Sequence, residues 1–191
     1  MVATLGKNQG KAIATKLEDM KAIQRLLISN EEVLKELCAG DQEIRDRLQK
    51  MLEDDRENLG TIERAITKFG IEAQPQETTQ NMIDKIEAIM KGDRLSPYEK
   101  AMEHEGLKHL LVMTGLVIHK AAQTVGDEVE KSISPINKVS FKNRAHQEQL
   151  KSIVQVLGTR ELTGQDPDKS IWGQAEDAIA GLKGIFKGLT D

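Results

Sequence analysis

The residues in this sequence best suited to chemistry are carboxylates and imidazoles that fall among apolar neighbours when each long helical segment is wound at about 100° per residue. In the first segment Ile13, Met20, Leu27, Leu34 and Cys38 share a face, with Glu31 at its middle and Gln24 beside it. In the second, Asp55 interrupts a stripe of Leu48, Leu52, Leu59, Ile62 and Ile66. In the third, Leu107, Leu110, Leu111, Thr114, Ile118, Ala121 and Val125 form a stripe that extends back to His104 and Glu103, and in the fourth Asn143 and His146 join Val139, Leu150, Val154 and Leu157. A lone buried carboxylate or charged imidazole is costly unless it is paired, hydrogen-bonded or bound to metal, so inward groups on four helices ask for one shared explanation. One is a metal centre with Glu31, Asp55, Glu103 and His146 as ligands and His104 as a further or alternate ligand. The other is a satisfied or wet polar layer near helix ends or in a groove open to water.

Other chemistries lack their residues. There is no Gly-rich phosphate loop, no nucleophile elbow and no Ser/His/Asp arrangement with supporting strands. Cys38 is the sole cysteine, which excludes an intramolecular disulfide, a zinc finger and a thiolate-ligated iron-sulfur cluster within one chain, and it reads as a small core residue at the end of a helix. His109 falls opposite the stripe of its helix, with Glu105 one turn before it, and His119 lies at the stripe's edge. The residues after His104 and His119 do not follow the Lys and Gly spacing of a histidine phosphotransfer bundle.

The elements that must position these groups are helices. One Trp, one Tyr and three Phe stand against a chain dominated by strong helix formers, and 191 residues with 38% hydrophobic content support one sizeable core. Gly40-Asp41 and Gly70 bound two long helices that read as an antiparallel hairpin, and Pro75 opens a shorter connector helix ended by Gly92. Ser96-Pro97-Tyr98-Glu99 combines a capping serine, a proline at the first helical position and a glutamate three residues after the cap, and starts a third long helix that runs to about Val125. After Gly126 and a polar stretch, Ser134-Pro135 starts the fourth, which ends at Leu157-Gly158. The expected fold is an all-α up-down four-helix bundle over residues 1–160, a linker over 161–170, and a C-terminal amphipathic helix over 171–191. In that tail Ile171, Ala175, Ala178, Ile179, Leu182, Ile185, Phe186 and Leu189 recur at three- and four-residue intervals.

Charge and hydropathy bound the partners. The 27 basic and 31 acidic residues are interspersed, so the sequence offers no continuous cationic face and predicts no nucleic-acid partner. The apolar run from Leu110 to Ile118 is about half of the ~20 residues a membrane span needs, and no apolar signal core follows Met1, so a cytoplasmic protein is expected and membrane binding is disfavoured. The tail stripe predicts docking on the bundle itself or, as a partner element, a homo-oligomer or protein partner through residues 171–189.

The polar residues above resemble those of ferritin-like and hemerythrin-like four-helix bundles. Arg56-Glu57-Asn58 through Ile62-Glu63-Arg64 to Phe69-Gly70, and Ala101-Met102-Glu103-His104-Glu105, are similar to the second and third helices of bacterial YciF-type ferritin-like stress proteins, over roughly residues 11 to 160. The resemblance implies iron or manganese in the bundle core and a role in stress or in oxygen or peroxide handling. The final Gly-Leu-Lys-Gly-Ile-Phe-Lys-Gly-Leu run resembles the targeting peptides of ferritin-like cargo in encapsulin shells. The departures are specific: no Glu-x-x-His pair exists, Asn143-x-x-His146 being the nearest, and all four histidines lie at or after residue 104. The alternative is therefore a non-enzymatic scaffold or interaction protein with a degenerate metal site or no metal, working through assembly or its C-terminal helix.

Overall fold

The computed structural model describes the backbone of residues 7–190 and the side chains of 8–184. Among the described residues there are seven helices and no strand: α1 (Lys7–Leu37), α2 (Gln42–Phe69), α3 (Glu77–Lys91), α4 (Pro97–Val125), α5 (Asp127–Ile133), α6 (Pro135–Thr163) and α7 (Ser170–Thr190). The boundaries follow local chemistry. The Asp41 carboxylate accepts the Ile44 amide at the start of α2, and Gly70 closes that helix at φ 72°, a left-handed conformation that glycine adopts without a Cβ clash. At the start of α4, Ser96 and Glu99 satisfy each other's backbone amides as a capping box, ahead of Pro97. The connector α3 is tied down from α1: buried Asp19 accepts the Gln76 amide at 2.7 Å, at the entry to α3.

Side-chain pairs fix the directions of the long helices. Arg25 meets Glu63 and Glu32 meets Arg56, so α1 and α2 run antiparallel. Glu31 lies beside His104 and Met20 lies near Gly115, so α1 and α4 are antiparallel too. Gln147 bonds Glu105, and His146 and Lys142 meet Asp54 and Glu57, so α6 runs against both α4 and α2.

The core is divided by depth. One apolar cluster gathers Leu17, Leu27, Ile62, Phe69, Leu111, Ile118, Ile133 and Val139, and a second gathers Leu34, Ile44, Leu48, Met51, Met90, Leu150 and Ile153. In residue order along α1, α2, α4 and α6, Glu31, Asp55, His104 and His146 fall between the members of the two clusters, Lys108 follows His104 by one turn, and all five are buried. The polar layer therefore lies in mid-helix, not near helix ends.

Three sequence expectations change. The polar stretch after Gly126 folds as α5. The fourth long helix passes Leu157-Gly158 and ends at Gly164, φ 70°. Gly158 is buried within it because a Cβ there would stand 2.9 Å from the Tyr98 ring, so its glycine serves packing, not termination. The third change is the face of α4. The helix buries Ala101, His104, Leu107, Lys108, Leu111, Gly115, Ile118 and Ala122, while Met102, Leu110, Met113, Leu116 and Val117 are exposed. Because α4 is apolar on both sides, hydropathy alone set its stripe partly off the true inner face.

The tail helix α7 begins against its own chain. Ala175 is buried, the Ser152 hydroxyl donates to the Ile171 carbonyl, and the Arg47 guanidinium sits 4.5 Å from the Trp172 ring centroid and 3.1 Å from Glu176. The Ile185, Phe186 and Leu189 side chains of the expected stripe lie outside the described residues. No described helix is long and apolar enough to cross a membrane.

Candidate functional site

The polar layer is organised around one lysine. Lys108, fully buried on α4, places its Nζ against the Asp55 carboxylate of α2, 2.8 Å from Glu31 Oε1 of α1 and 3.1 Å from His146 Nδ1 of α6. Asn58 supports Asp55 from one turn away, donating its amide to Oδ1 at 3.3 Å. His104 is one turn before Lys108 on the same face, with Nε2 3.3 Å from Glu31 Oε1. A single ammonium thus joins three other long helices.

The electrostatics follow from burial and this geometry. Burial works against the Lys108 ammonium, but Asp55 and Glu31 outweigh it and hold the lysine in its charged form. Burial alone would raise Asp55, and the Lys108 ammonium together with His146 reverses that, keeping the carboxylate ionised well below its usual range. Glu31 is pushed up to about 8, chiefly by burial, with Lys108 only partly offsetting it. His104, enclosed and near the Lys108 ammonium, is held neutral. At neutral pH one ammonium therefore balances one carboxylate, and the second carboxyl carries a proton, so the interior avoids an uncompensated charge.

The network reaches solvent through His146. Its Nδ1 faces Lys108 Nζ, and its Nε2 lies 3.2 Å from Oδ2 of Asp54, a carboxylate whose side chain is 42% exposed. The hydrogen bond from His146, then Lys142, pulls the Asp54 carboxyl down to about 2. Lys142 bridges Asp54 at 2.5 Å and Glu57 at 2.8 Å on the surface above.

Glu31, Asp55 and His146 offer donor atoms within 4.8 Å of one another, the convergence that a metal site needs. Lys108 Nζ lies among those same atoms, however, and an ion there would meet an ammonium held by the donors it requires. The donor set as placed fits a cation supplied by the chain itself, and no step through a metal is derived from it.

Of the residues singled out by sequence, Glu31, Asp55, His146 and His104 come together. Glu103 does not: it is exposed, because the residue next to the inward His104 is turned by about 100° on the helix. His109 is exposed as expected, sharing the Gln147 amide with Glu105, and His119 is half-buried against Asn137. Burial pushes the Cys38 thiol up to about 11, as suits a core residue. Lys108, Asn58 and Asp54 were not anticipated. The available signal for Lys108 was its spacing of four residues from His104 and three before Leu111, which puts it on the inner face whatever its charge.

Compared with known proteins, the chain is 51% identical over 185 residues, 96% of its length, to a DNA nickase of Nostoc sp. (strain PCC 7120 / SAG 25.82 / UTEX 2576), and the match covers 52% of that protein. The chain thus spans about half the length of the curated relative it matches. No protein-family model matches it, and neither does a solved structure. The relative overturns two expectations. An iron- or manganese-binding role in stress or oxygen handling is at odds with a similarity of this extent to a protein named for DNA strand nicking. The expected absence of a nucleic-acid partner is at odds with it as well. Charges interspersed along the sequence do not exclude a cationic surface, because the fold decides which of them lie together.

Proposed function

We propose that this chain acts in DNA nicking and engages duplex DNA. The observation that supports the reading is the 51% identity to the Nostoc DNA nickase across 96% of the chain, an extent that leaves almost no segment free to have been borrowed from elsewhere. In this reading α1, α2, α4 and α6 form an up-down-down-up four-helix bundle, with α3 as the crossover between the parallel α2 and α4. The Lys108 cluster pins the four helices in register from inside. It is closed to DNA, so its part is to hold the surface that DNA meets, including the Asp54–His146 pair where it surfaces.

The test is to incubate the purified chain with supercoiled plasmid in magnesium buffer, with an EDTA arm, and to follow both electrophoretic retardation and conversion to open circles. Retardation with accumulation of open circles over linear product is expected. Plasmid that is neither retarded nor relaxed at micromolar protein overturns the proposal.

A further inference from the structure

The outer face of α4 is apolar and uncovered. Of the eight large apolar side chains exposed among the described residues, five belong to this helix: Met102, Leu110, Met113, Leu116 and Val117. Wound at about 100° per residue they form one stripe, on the side turned away from the buried His104, Lys108 and Leu111. Single apolar side chains are ordinary on a surface, whereas a contiguous stripe of them marks a contact. Gly106 lies in the same stripe. Glycine is disfavoured inside a helix, and two others in α4 and α6 have a reason within the chain: a Cβ on Gly115 would strike Ser140, and one on Gly158 would strike Tyr98. A Cβ on Gly106 would meet nothing within 4 Å, so no neighbour in its own chain calls for a glycine there.

We propose that a second copy of this chain docks on the stripe, α4 antiparallel to α4 about a two-fold axis. The pattern of the helix selects this occupant. A two-fold contact must be self-complementary, each residue facing a partner that faces it in return. Turned about a midpoint between Leu111 and Val112, the helix sets Leu110 against Met113 of the other copy, Gly106 against Val117 and Glu103 against Lys120. Three pairings of different kinds thus share one midpoint. The first is apolar on apolar. The second puts the open glycine beneath Val117, the most exposed of the five at 62%, which lets the helices approach closely. The third joins opposite charges. A parallel copy would set each of these residues against itself and lose all three, and an unrelated partner would not require the helix to complement its own reverse. From Met102 to Lys120 the stripe runs about 27 Å along the helix, a length suited to the roughly 800 Å² per copy of a standard interface. The proposal stands apart from the DNA-engaging reading, and failure of either leaves the other in place.

The test is sedimentation equilibrium of the full chain across micromolar concentrations, where the wild type is expected at twice its chain mass of 21.2 kDa. Met113→Glu/Val117→Glu, which would bury unpaired carboxylates in the contact, should raise the dimer dissociation constant at least about a hundredfold. Glu103→Lys and Lys120→Glu should each weaken self-association roughly five- to tenfold. An equimolar mixture of those two variants should associate as the wild type does, because a dimer of one with the other restores both opposite-charge pairs. Leu162→Glu, at an apolar side chain that is 79% exposed but off the stripe, should leave the dimer intact. All the substituted side chains are exposed, so helicity by circular dichroism is expected to be unchanged throughout. A wild type of single-chain mass at every concentration overturns the proposal, as does a Met113→Glu/Val117→Glu variant that stays dimeric. A Leu162→Glu variant that dissociates as readily, or a mixture that associates no more tightly than its components, overturns it as well.

Discussion

Lys108 joins four helices at a point where no water competes for its charge, so its removal should be felt out of proportion to its size. Lys108→Met leaves Asp55 ionisable and unpaired in an apolar surround, with an expected loss of about 3–5 kcal/mol. Lys108→Met/Asp55→Asn/Glu31→Gln, which removes every formal charge of the trio, should recover most of it. Urea denaturation measures both, and a single variant within about 1 kcal/mol of wild type would sink the account. Glu31 makes a second prediction, about pH. Its folded pKa of about 8 exceeds the ordinary value of 4.5, so the folded state holds a proton that the unfolded chain releases, and stability falls as pH rises from about 4.5 to about 8. Asp54, depressed to about 2, acts elsewhere: its contribution is full above its ordinary 3.8 and is lost only as pH falls below that. Glu31→Gln should therefore flatten the decline in urea midpoint between pH 5 and 8 and leave the acid limb unchanged. An undiminished slope in that variant would assign the decline to other groups.

Between the helices, the closest approach is made by glycine. A Cβ on Gly115 would stand 2.2 Å from Ser140 Oγ and 3.3 Å from the Met20 methyl, so α4 lies against α6 and α1 more closely than any other residue would permit. Gly115→Ala should destabilise by about 1–3 kcal/mol through overpacking, and Ser140→Ala in the same chain should recover part of that because the nearest clashing atom is removed. A double-mutant cycle in urea gives the coupling; a zero coupling would mean that the helices shift instead. This element scale is also where the sequence was most legible. The capping box at Ser96, the glycine at Gly70 and the proline at Pro135 act through atoms a few residues away, so those helix ends could be read from neighbours alone, whereas Gly158 is set by the distant Tyr98 ring and was not an end. The inner face of α4 could not, because Leu110, Leu116 and Val117 compete in hydropathy with Leu107 and Leu111. Only partners from α1 and α6 decide that Lys108 and Gly115 go inside. Glu31, Asp55, His104 and His146 were legible as polar breaks in apolar faces, whereas the cation that completes them looked like an ordinary surface lysine.

For the molecule as a whole, α7 couples stability to the surface of α2 and α6. Its first turns set Ile171 and Trp172 on the second apolar cluster and hold Arg47, near the start of α2, through the Trp172 ring and Glu176. Deleting residues 170–191 would uncover that part of the cluster and leave Arg47 with Glu43 of its own helix as its partner. With Trp172 and Ile171 only half-buried, a loss of about 1–3 kcal/mol is expected, which for a chain of this size lowers Tm by roughly 2–12 °C while helicity of the remainder persists. Under the DNA-engaging reading, duplex affinity should stay level, because Arg47 keeps Glu43 as its partner and the truncation frees no cation. Melting followed by circular dichroism and anisotropy with a 20-base-pair duplex read the two effects on one preparation. A truncated chain that melts as before would show that α7 adds nothing to the core, and one that stays folded but no longer binds duplex would place the DNA contacts on the tail.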